Sequence, residues 1–303
     1  MSNATEPARV AVVGGGQMGT GIAHSFALAG YAVTLVDLQE AQLNKAVELI
    51  GKILGDGVRL GKLSEEQARQ AAARVRTSTD LVATLSAQPY DWLVETVVEK
   101  MEIKAAIMRD ADRLLPEHAI IGSNTSALSL TEIAAHTRRP ERVVGLHFFN
   151  PVHKMKLLEI VRGLATSDDT IAKSRALGER LCKDVVVVND APGLTTSRMS
   201  VLLGNEAMFM LQEGTASAED IDTALRGGLN HPMGPLELGD LTGWDTRLSV
   251  LQYLHRTLGE KYRPCPLIVK IVAAGYFGRK SGRGVYQYHD GQKVAGSGLK
   301  VTS

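Results

Sequence analysis

Cysteine is scarce in this chain. Cys182 and Cys265 are the only two in 303 residues and fall in no CxxC or ligand-type spacing, which argues against a disulfide framework, a structural zinc site or thiol chemistry and fits a reducing, cytoplasmic compartment. Neither sign of charge is in excess. Lys and Arg total 34 against 33 Asp and Glu, for a net charge of +1, so no global field draws the chain to nucleic acid or to a membrane surface, and any anion site has to be local. Long apolar runs are also missing. None approaches the roughly 18 residues of a spanning helix, and the opening MSNATEPARV lacks the apolar stretch of a signal peptide. There is no internal repeat, no low-complexity tract and no cluster with metal-ligand spacing, so no metal is expected. What remains is an ordinary globular composition, 44% hydrophobic, long enough to bury a large core and to form two domains rather than one.

The first informative stretch is RVAVVGGGQMGTGIAHSFALAGYAVTLVD, which reads as strand, glycine turn, helix and second strand. Gly14, Gly16 and Gly19 form GxGxxG directly after the apolar run Val10 to Val13 and at the mouth of a helix carrying Ile22, Phe26 and Leu28. In such a turn the first glycine permits the bend, the second lets a pyrophosphate approach the backbone, and the third lets helix and strand pack closely. A lone GxGxxG is weak. Asp37 strengthens it, standing at the end of the next strand, 18 residues after Gly19, where a carboxylate can accept both ribose hydroxyls. Leu38 and Gln39 follow it, so no neighbouring arginine is supplied for a 2′-phosphate, and NAD is expected over NADP.

Residues 40 to 73 are rich in helix formers and read as two helices joined by a turn at Gly55 to Gly61. Lys45, Lys52, Arg59 and Lys62 on this segment are either a solvated face or the partner of a nucleotide phosphate. Strands near Arg74 to Thr79, Trp92 to Glu95 and Ala119 to Gly122 continue the sheet, with an amphipathic helix within TVVEKMEIKAAIMRDADRLL before the last. Ser123, Asn124, Thr125 and Ser126 then lie at the carboxyl end of a strand, where open α/β sheets bind ligands. Capping the helix at Ser129 to Ala135 is their alternative role.

The stretch VVGLHFFNPVHKMKLLEIV, residues 143 to 161, holds two apolar runs around a polar turn. If the chain reverses near His153, His147 lies directly opposite Glu159, because each is six residues from that midpoint. Opposed side chains in an antiparallel pair are close enough for a carboxylate to take one imidazole N–H, leaving the other nitrogen for a substrate. That is an acid/base pair suited to a hydroxyl proton near neutral pH. A core histidine satisfied by an acid would look the same at this level.

After a helix near Thr170 to Leu181 and the apolar strand in DVVVVND, strand-like runs cease and helices dominate. The domain boundary is therefore placed at the APG of residues 191 to 193, giving domains of 1–190 and 191–303. Thr196 to Gln212 has apolar residues on several sides and is expected to be a buried helix. Ser217 with Asp220 resembles a capping box for the next helix, ended at Gly227 and Gly228. Further helices carry Leu248, Leu251, Leu254 and Leu258, and start at Pro266.

Taken together, GGGQMGTGIA, STDL, VETVVEK, IIGSNTSAL, GLHFFNPVHKMKLLEIV, NHPMGPLELGDLTGWD and GRKSGRGVYQY occur in the order seen in short-chain 3-hydroxyacyl-CoA dehydrogenases, and nearly the whole chain resembles the bacterial 3-hydroxybutyryl-CoA branch of that family. The resemblance implies an α/β fold, a Rossmann-like N-terminal domain followed by an all-helical C-terminal domain that forms a homodimer. It also implies (S)-specific, NAD-dependent oxidation of a 3-hydroxyacyl-CoA. The family's catalytic histidine falls on His147 and its glutamate on Glu159; its substrate-contacting serine falls on Ser126. Its cofactor contacts fall on Gly14, Gly16, Gln17, Met18 and Gly19 of the turn, and on Asp37, Glu99, Lys104, Asn150 and Lys280. Its CoA-binding cations fall between Lys52 and Lys62, with Lys52, Arg59 and Lys62 as candidates. The clear departure is Ser197. The family has Asn in PGxxxNR where this chain reads PGLTTSR, so Ser197 either replaces that substrate contact or caps a helix beginning near Arg198. Relatives acting on free hydroxy acids, such as L-gulonate or carnitine dehydrogenases, and non-catalytic crystallin-like relatives are the rival readings.

Overall fold

The computed structural model describes residues 8–126 and 128–301. The chain divides after Ala191 into two compact units. The first is built on one eight-stranded sheet. In chain order its elements are β1 (Arg9–Val13), α1 (Gln17–Leu28), β2 (Ala32–Val36), α2 (Glu40–Arg59), α3 (Glu65–Ala73), β3 (Val75–Ser78), α4 (Leu81–Ala87), β4 (Trp92–Glu95), α5 (Met101–Leu114), β5 (Ile120–Ser123), α6 (Leu130–Ala134), β6 (Val143–Phe148), β7 (Leu157–Arg162), α7 (Asp168–Arg180) and β8 (Asp184–Asn189). The spatial order is β3-β2-β1-β4-β5-β6-β7-β8. The strands from β3 to β6 pair in parallel; β7 runs antiparallel to β6, and β8 is parallel to β7.

Strand composition explains the burial. Val10, Val12, Val33, Leu35, Val94, Leu146, Leu158 and Ile160 share one core with Ile22 and Phe26 of α1, Leu43 and Ile50 of α2, and Ile171 of α7. Their neighbours Ala11, Leu93 and Ile121 are as deeply buried and, by the pleat, face the other side. Runs apolar on both faces are what a largely parallel sheet requires. The order reverses between β1 and β4, which puts the carboxyl ends of those strands at a switch point where doubly wound sheets take ligands.

Several boundaries differ from the sequence expectation. α2 continues through Gly55 and Gly57, because its stripe of Leu43, Ala46, Ile50 and Leu54 is still buried at that turn. Leu63 folds back over Gly57, where a Cβ would meet its Cδ1 at 2.8 Å. The break comes after Arg59, and Ser64 with Gln67 then forms a full capping box on α3. β5 is shifted by one residue, and α4, capped by Asp80, was not foreseen.

The second unit contains α8 (Thr196–Gln212), α9 (Ala218–Leu229), α10 (Pro235–Thr242), α11 (Trp244–Leu258) and α12 (Pro266–Ala273), with one small ribbon of β9 (Tyr288–His289) and β10 (Gln292–Lys293). Its core gathers Met208, Leu211, Leu236, Trp244, Leu251, Leu254, Tyr262 and Ile268. α8 is not buried all round: Met199 is 66% exposed. α9 runs through Gly227 and Gly228 to Leu229 and ends on Asn230 in the left-handed region, φ 56°. Two buried carboxylates tie the unit together. Asp240 accepts the indole N–H of Trp244 at 2.6 Å, the backbone N–H groups of Val285 and Tyr286 at 2.8 Å each, and the Tyr288 hydroxyl at 3.1 Å. Asp222 accepts Leu236 N–H, Glu237 N–H and the Tyr286 hydroxyl at 2.8, 3.0 and 2.7 Å. The motifs NHPMGPLELGDLTGWD and GRKSGRGVYQY are thus two halves of one structural lock.

Candidate active site

The glycine turn is shaped from beneath. Gly14 has φ +107°, and a Cβ there would meet Thr96 Oγ1 at 2.7 Å. A Cβ on Gly19 would collide with the Gly14 carbonyl oxygen, whereas a Cβ on Gly16 would meet nothing within 4 Å. The first and third glycines are therefore required by packing, and the second borders open space at the start of α1. The first backbone N–H groups of that helix, around Gly16, Gln17 and Met18, have no partner within the helix and suit a bridging phosphate. Thr96 Oγ1–H donates to the Val13 carbonyl at 2.9 Å, and Gln42 Nε2–H to the Gly15 carbonyl at 2.8 Å. Neither residue stands out in the sequence, because each acts on backbone from a distant segment. Asp37 follows β2 and accepts Gly15 N–H on one oxygen (2.8 Å) and Gln39 N–H on the other (2.9 Å). Both oxygens keep a lone pair for ribose hydroxyls. These features fit a dinucleotide.

The ends of β4, β5 and β6 form the next wall. Register places Val13, Glu95, Ser123 and Gly145 in one row, with His147 two residues further on. The SNTS residues turn out to be braces and not helix caps. Asn124 Oδ1 accepts the Phe148 N–H at 2.8 Å, which fixes the loop after β5 to the strand bearing His147. Thr125 Oγ1–H donates to Glu99, and Ser126 N–H donates to Glu99 Oε1 at 2.7 Å. Ser129 itself caps α6. Ser126 remains exposed.

β6 and β7 pair with His147 directly opposite Glu159, the register required by reversal near His153. His147 Nδ1 lies 2.7 Å from Glu159 Oε2, and both side chains are buried. A carboxylate can only accept, so Nδ1 carries the proton and Nε2 presents its lone pair. Phe149 packs on the imidazole at 4.6 Å between ring centroids. Asn150 follows, exposed, before a cis bond to Pro151.

Lys104, a cofactor contact by the family resemblance, is 1% exposed, with its ammonium held by Glu95, Glu99 and the Val97 carbonyl. It braces the loops from behind. Glu95, the fully buried partner, carried no signal in the sequence beyond ending an apolar strand. The cations of α2 and of the turn after it are not walled into a pocket. Lys52, Arg59 and Lys62 are exposed, and Arg59 is bound to Asp56 at 2.8 Å. They belong to a basic neighbourhood that the sequence reading had only half: that hydrogen bond, then the charges of Arg59, Lys52 and Lys154, hold the Asp56 carboxyl below its usual range. Burial, then Lys154 and Lys183, push the His153 imidazole down, with Lys62 adding to the effect. Lys183 also ties the loop after Asn150, donating to the carbonyls of Val152 and Met155.

In the second unit, Ser197 is the second residue of α8, with Thr195 in the capping position, so the capping alternative for Ser197 falls. Lys280 pairs with Asp245 at 2.7 Å. No group of three or more His, Cys, Asp or Glu that could hold a metal occurs among the described residues, and no described helix is long and apolar enough to cross a membrane.

Comparison with known proteins bears on this arrangement. Residues 9–191 match the family model for the 3-hydroxyacyl-CoA dehydrogenase NAD binding domain, and residues 193–288 match that for the C-terminal domain. The chain is 44% identical over 283 residues to a probable 3-hydroxybutyryl-CoA dehydrogenase of Bacillus subtilis, covering 93% of this chain and 98% of that protein. It is 43% identical to the 3-hydroxybutyryl-CoA dehydrogenase of Bradyrhizobium diazoefficiens over 94% of this chain and 97% of that protein. Among solved structures it is similar to the (S)-3-hydroxybutyryl-CoA dehydrogenase PaaH1 from Ralstonia eutropha, with a TM-score of 0.90, 42% identity, and coverage of 94% and 100% of the two chains.

Proposed function

The chain belongs to the 3-hydroxyacyl-CoA dehydrogenase family, and from that premise we propose that His147 is its acid/base group, Glu159 the residue that holds it, and Ser126 the hydroxyl that orients the substrate oxygen. The protein is an NAD-dependent oxidoreductase that interconverts an (S)-3-hydroxyacyl-CoA and the 3-ketoacyl-CoA, with the hydroxybutyryl/acetoacetyl pair as substrates. When bound, NAD supplies the acceptor or donor of the hydride at substrate carbon 3. His147 Nε2 takes the C3 hydroxyl proton during oxidation and returns it during reduction. Glu159 stabilises the imidazolium through the Nδ1–H bond. Proton transfer of this kind is worth about 10²- to 10⁴-fold.

The observation carrying the reading is the 2.7 Å His147–Glu159 contact between two buried side chains: a neutral core could have filled those positions at lower desolvation cost. Gly14, Gly16, Gln17, Met18, Gly19, Asp37, Glu99, Lys104, Asn150 and Lys280 are proposed to serve the cofactor, and Ser197 to stand in for the family's asparagine. Lys52 and Lys62, joined by Lys154 and Lys183, are proposed to meet the phosphates of CoA. A homodimer through the second unit is supported by its exposed Met199, Leu229, Leu241 and Val269, and a cytoplasmic setting by the two free cysteines, one of them exposed.

The decisive assay is NADH oxidation with acetoacetyl-CoA. Rapid turnover is expected, with none on free acetoacetate, and His147→Gln should remove at least about 10²-fold of it. Equal turnover with the free acid would overturn the CoA reading, and an unaffected His147→Gln enzyme would overturn the acid/base assignment.

A further inference from the structure

Behind the exposed Ser126, a set of hydrogen bonds, buried around Glu95 and more open at Glu99, closes into a ring. The Ser123 hydroxyl donates to Glu95 Oε2 at 2.7 Å, and Glu95 holds Lys104 Nζ from both oxygens at 2.8 and 2.9 Å while also accepting Val97 N–H at 2.6 Å. Lys104 Nζ reaches Glu99 Oε2 at 3.3 Å. Glu99 Oε1 accepts Ser126 N–H at 2.7 Å and Ser126 Oγ–H at 3.3 Å, and Glu99 Oε2 accepts Thr125 Oγ1–H at 3.0 Å. The path thus leaves the chain at Ser123 and returns to it two and three residues later.

The chemistry of the members assigns their roles. Lys104 has three N–H bonds, and the two carboxylates and the Val97 carbonyl surround it. Glu95 is fully enclosed. Glu99 alone among the charged members faces outward, at 36% side-chain exposure, with its back fixed by an ammonium and its front holding the amide of Ser126. We infer that Glu95 and Lys104 are positioning residues that act through Glu99 to hold Ser126 in place for the reaction, an inference that rests on the proposed role of Ser126.

Removing one charge alone would leave the other buried and unpaired and would unfold the enzyme for trivial reasons, so the test removes both. In Glu95→Gln/Lys104→Met, turnover of acetoacetyl-CoA should fall by about 10- to 100-fold, the scale of a small misplacement of a substrate-holding group. Adding Glu99→Ala to that pair should lower turnover no further than Glu99→Ala does alone, because the two act in series. Ser123→Ala keeps both charges and so preserves the fold; it should cut turnover by about threefold and quicken hydrogen exchange at the Ser126 amide. Full activity in the paired variant, losses that multiply with Glu99→Ala, or unchanged Ser126 exchange in both folded variants would each overturn the inference. The exchange measurement needs no substrate. If the wild-type enzyme ignores acetoacetyl-CoA, the functional reading fails, and the Ser126 amide alone decides whether the clamp exists.

Discussion

His24 makes the stability of this protein depend on pH in a calculable way. It lies on the buried face of α1, and neither ring nitrogen has a hydrogen-bond partner among the described residues. Burial first, then the neighbouring His153 and Lys183, lowers its pKa from 6.5 to about 4. Above pH 6.5 the imidazole is neutral in the folded and unfolded chains alike, and contributes nothing. As the pH falls below 6.5 the unfolded chain takes the proton first, so stability drops, and the loss is complete below pH 4. A separation of about 2.5 pH units corresponds to about 3 kcal/mol in total, of which about 2.5 kcal/mol is lost by pH 4.5. The perturbation is His24→Leu, similar in size and unable to titrate. Urea denaturation of both proteins at pH 7.5 and 4.5 gives the comparison, since carboxylates and the other histidines titrate equally in each. The variant should gain about 2.5 kcal/mol on the wild type across that interval. Losses that run parallel within about 0.5 kcal/mol would refute the assignment of a neutral, desolvated His24.

Four further outcomes are expected. Glu159→Gln should lower turnover by about 10²-fold or more while leaving NADH affinity nearly unchanged, because the carboxylate acts through the imidazole; stopped-flow and cofactor titration separate the two. Efficiency with NADPH should be at least about 100-fold below that with NADH, since a 2′-phosphate would meet the Asp37 carboxylate, and steady-state kinetics with both cofactors checks it. Lys62→Glu with Lys154→Glu should raise KM for acetoacetyl-CoA and flatten its dependence on ionic strength, with KM for NADH as the internal control. Ser197→Ala should leave the melting temperature within the range of a neutral substitution, about 0.5 kcal/mol, because Ser197 is not the cap of α8, and should raise KM for acetoacetyl-CoA, whereas Ser197→Asn retains activity.

What could be read from the sequence was what short-range geometry dictates. The His147–Glu159 register followed from symmetry about His153, and the glycine turn was readable from its spacing between an apolar strand and a helix, with Asp37 at the end of the next strand. The burial of Lys104 could not be read from its surroundings, EKMEIK, which are those of an ordinary approach to a helix. Only the long-range return of β5 beside β4 brings Ser123 over Glu95 and seals the ammonium inside. Gly55 and Gly57 suggested a break because helix propensity is a weak local preference, overridden here by a continuous apolar stripe and by Leu63 packing back onto α2. Thr96, Gln42 and Lys183 carried no signal at all, since each contributes by touching backbone far away in sequence. The SNTS residues looked equally able to cap a helix or to line a ligand. The structure separates these roles by giving the cap to Ser129 and the bracing to Asn124 and Thr125.

The lock around Asp240 and Asp222 has a consequence for the order in which the protein is made. Three of the four donors on Asp240, and the hydroxyl that completes Asp222, come from Val285, Tyr286 and Tyr288, near the end of the chain. While these residues remain in the ribosomal exit tunnel, α9 and α10 already exist but hold two acids whose donors have not arrived, and a buried carboxylate without its donors costs several kcal/mol. The C-terminal unit therefore closes only once residues 285 to 288 have emerged and joined it. Stop codons shortly before residue 285 should be far more damaging than their distance from His147 suggests.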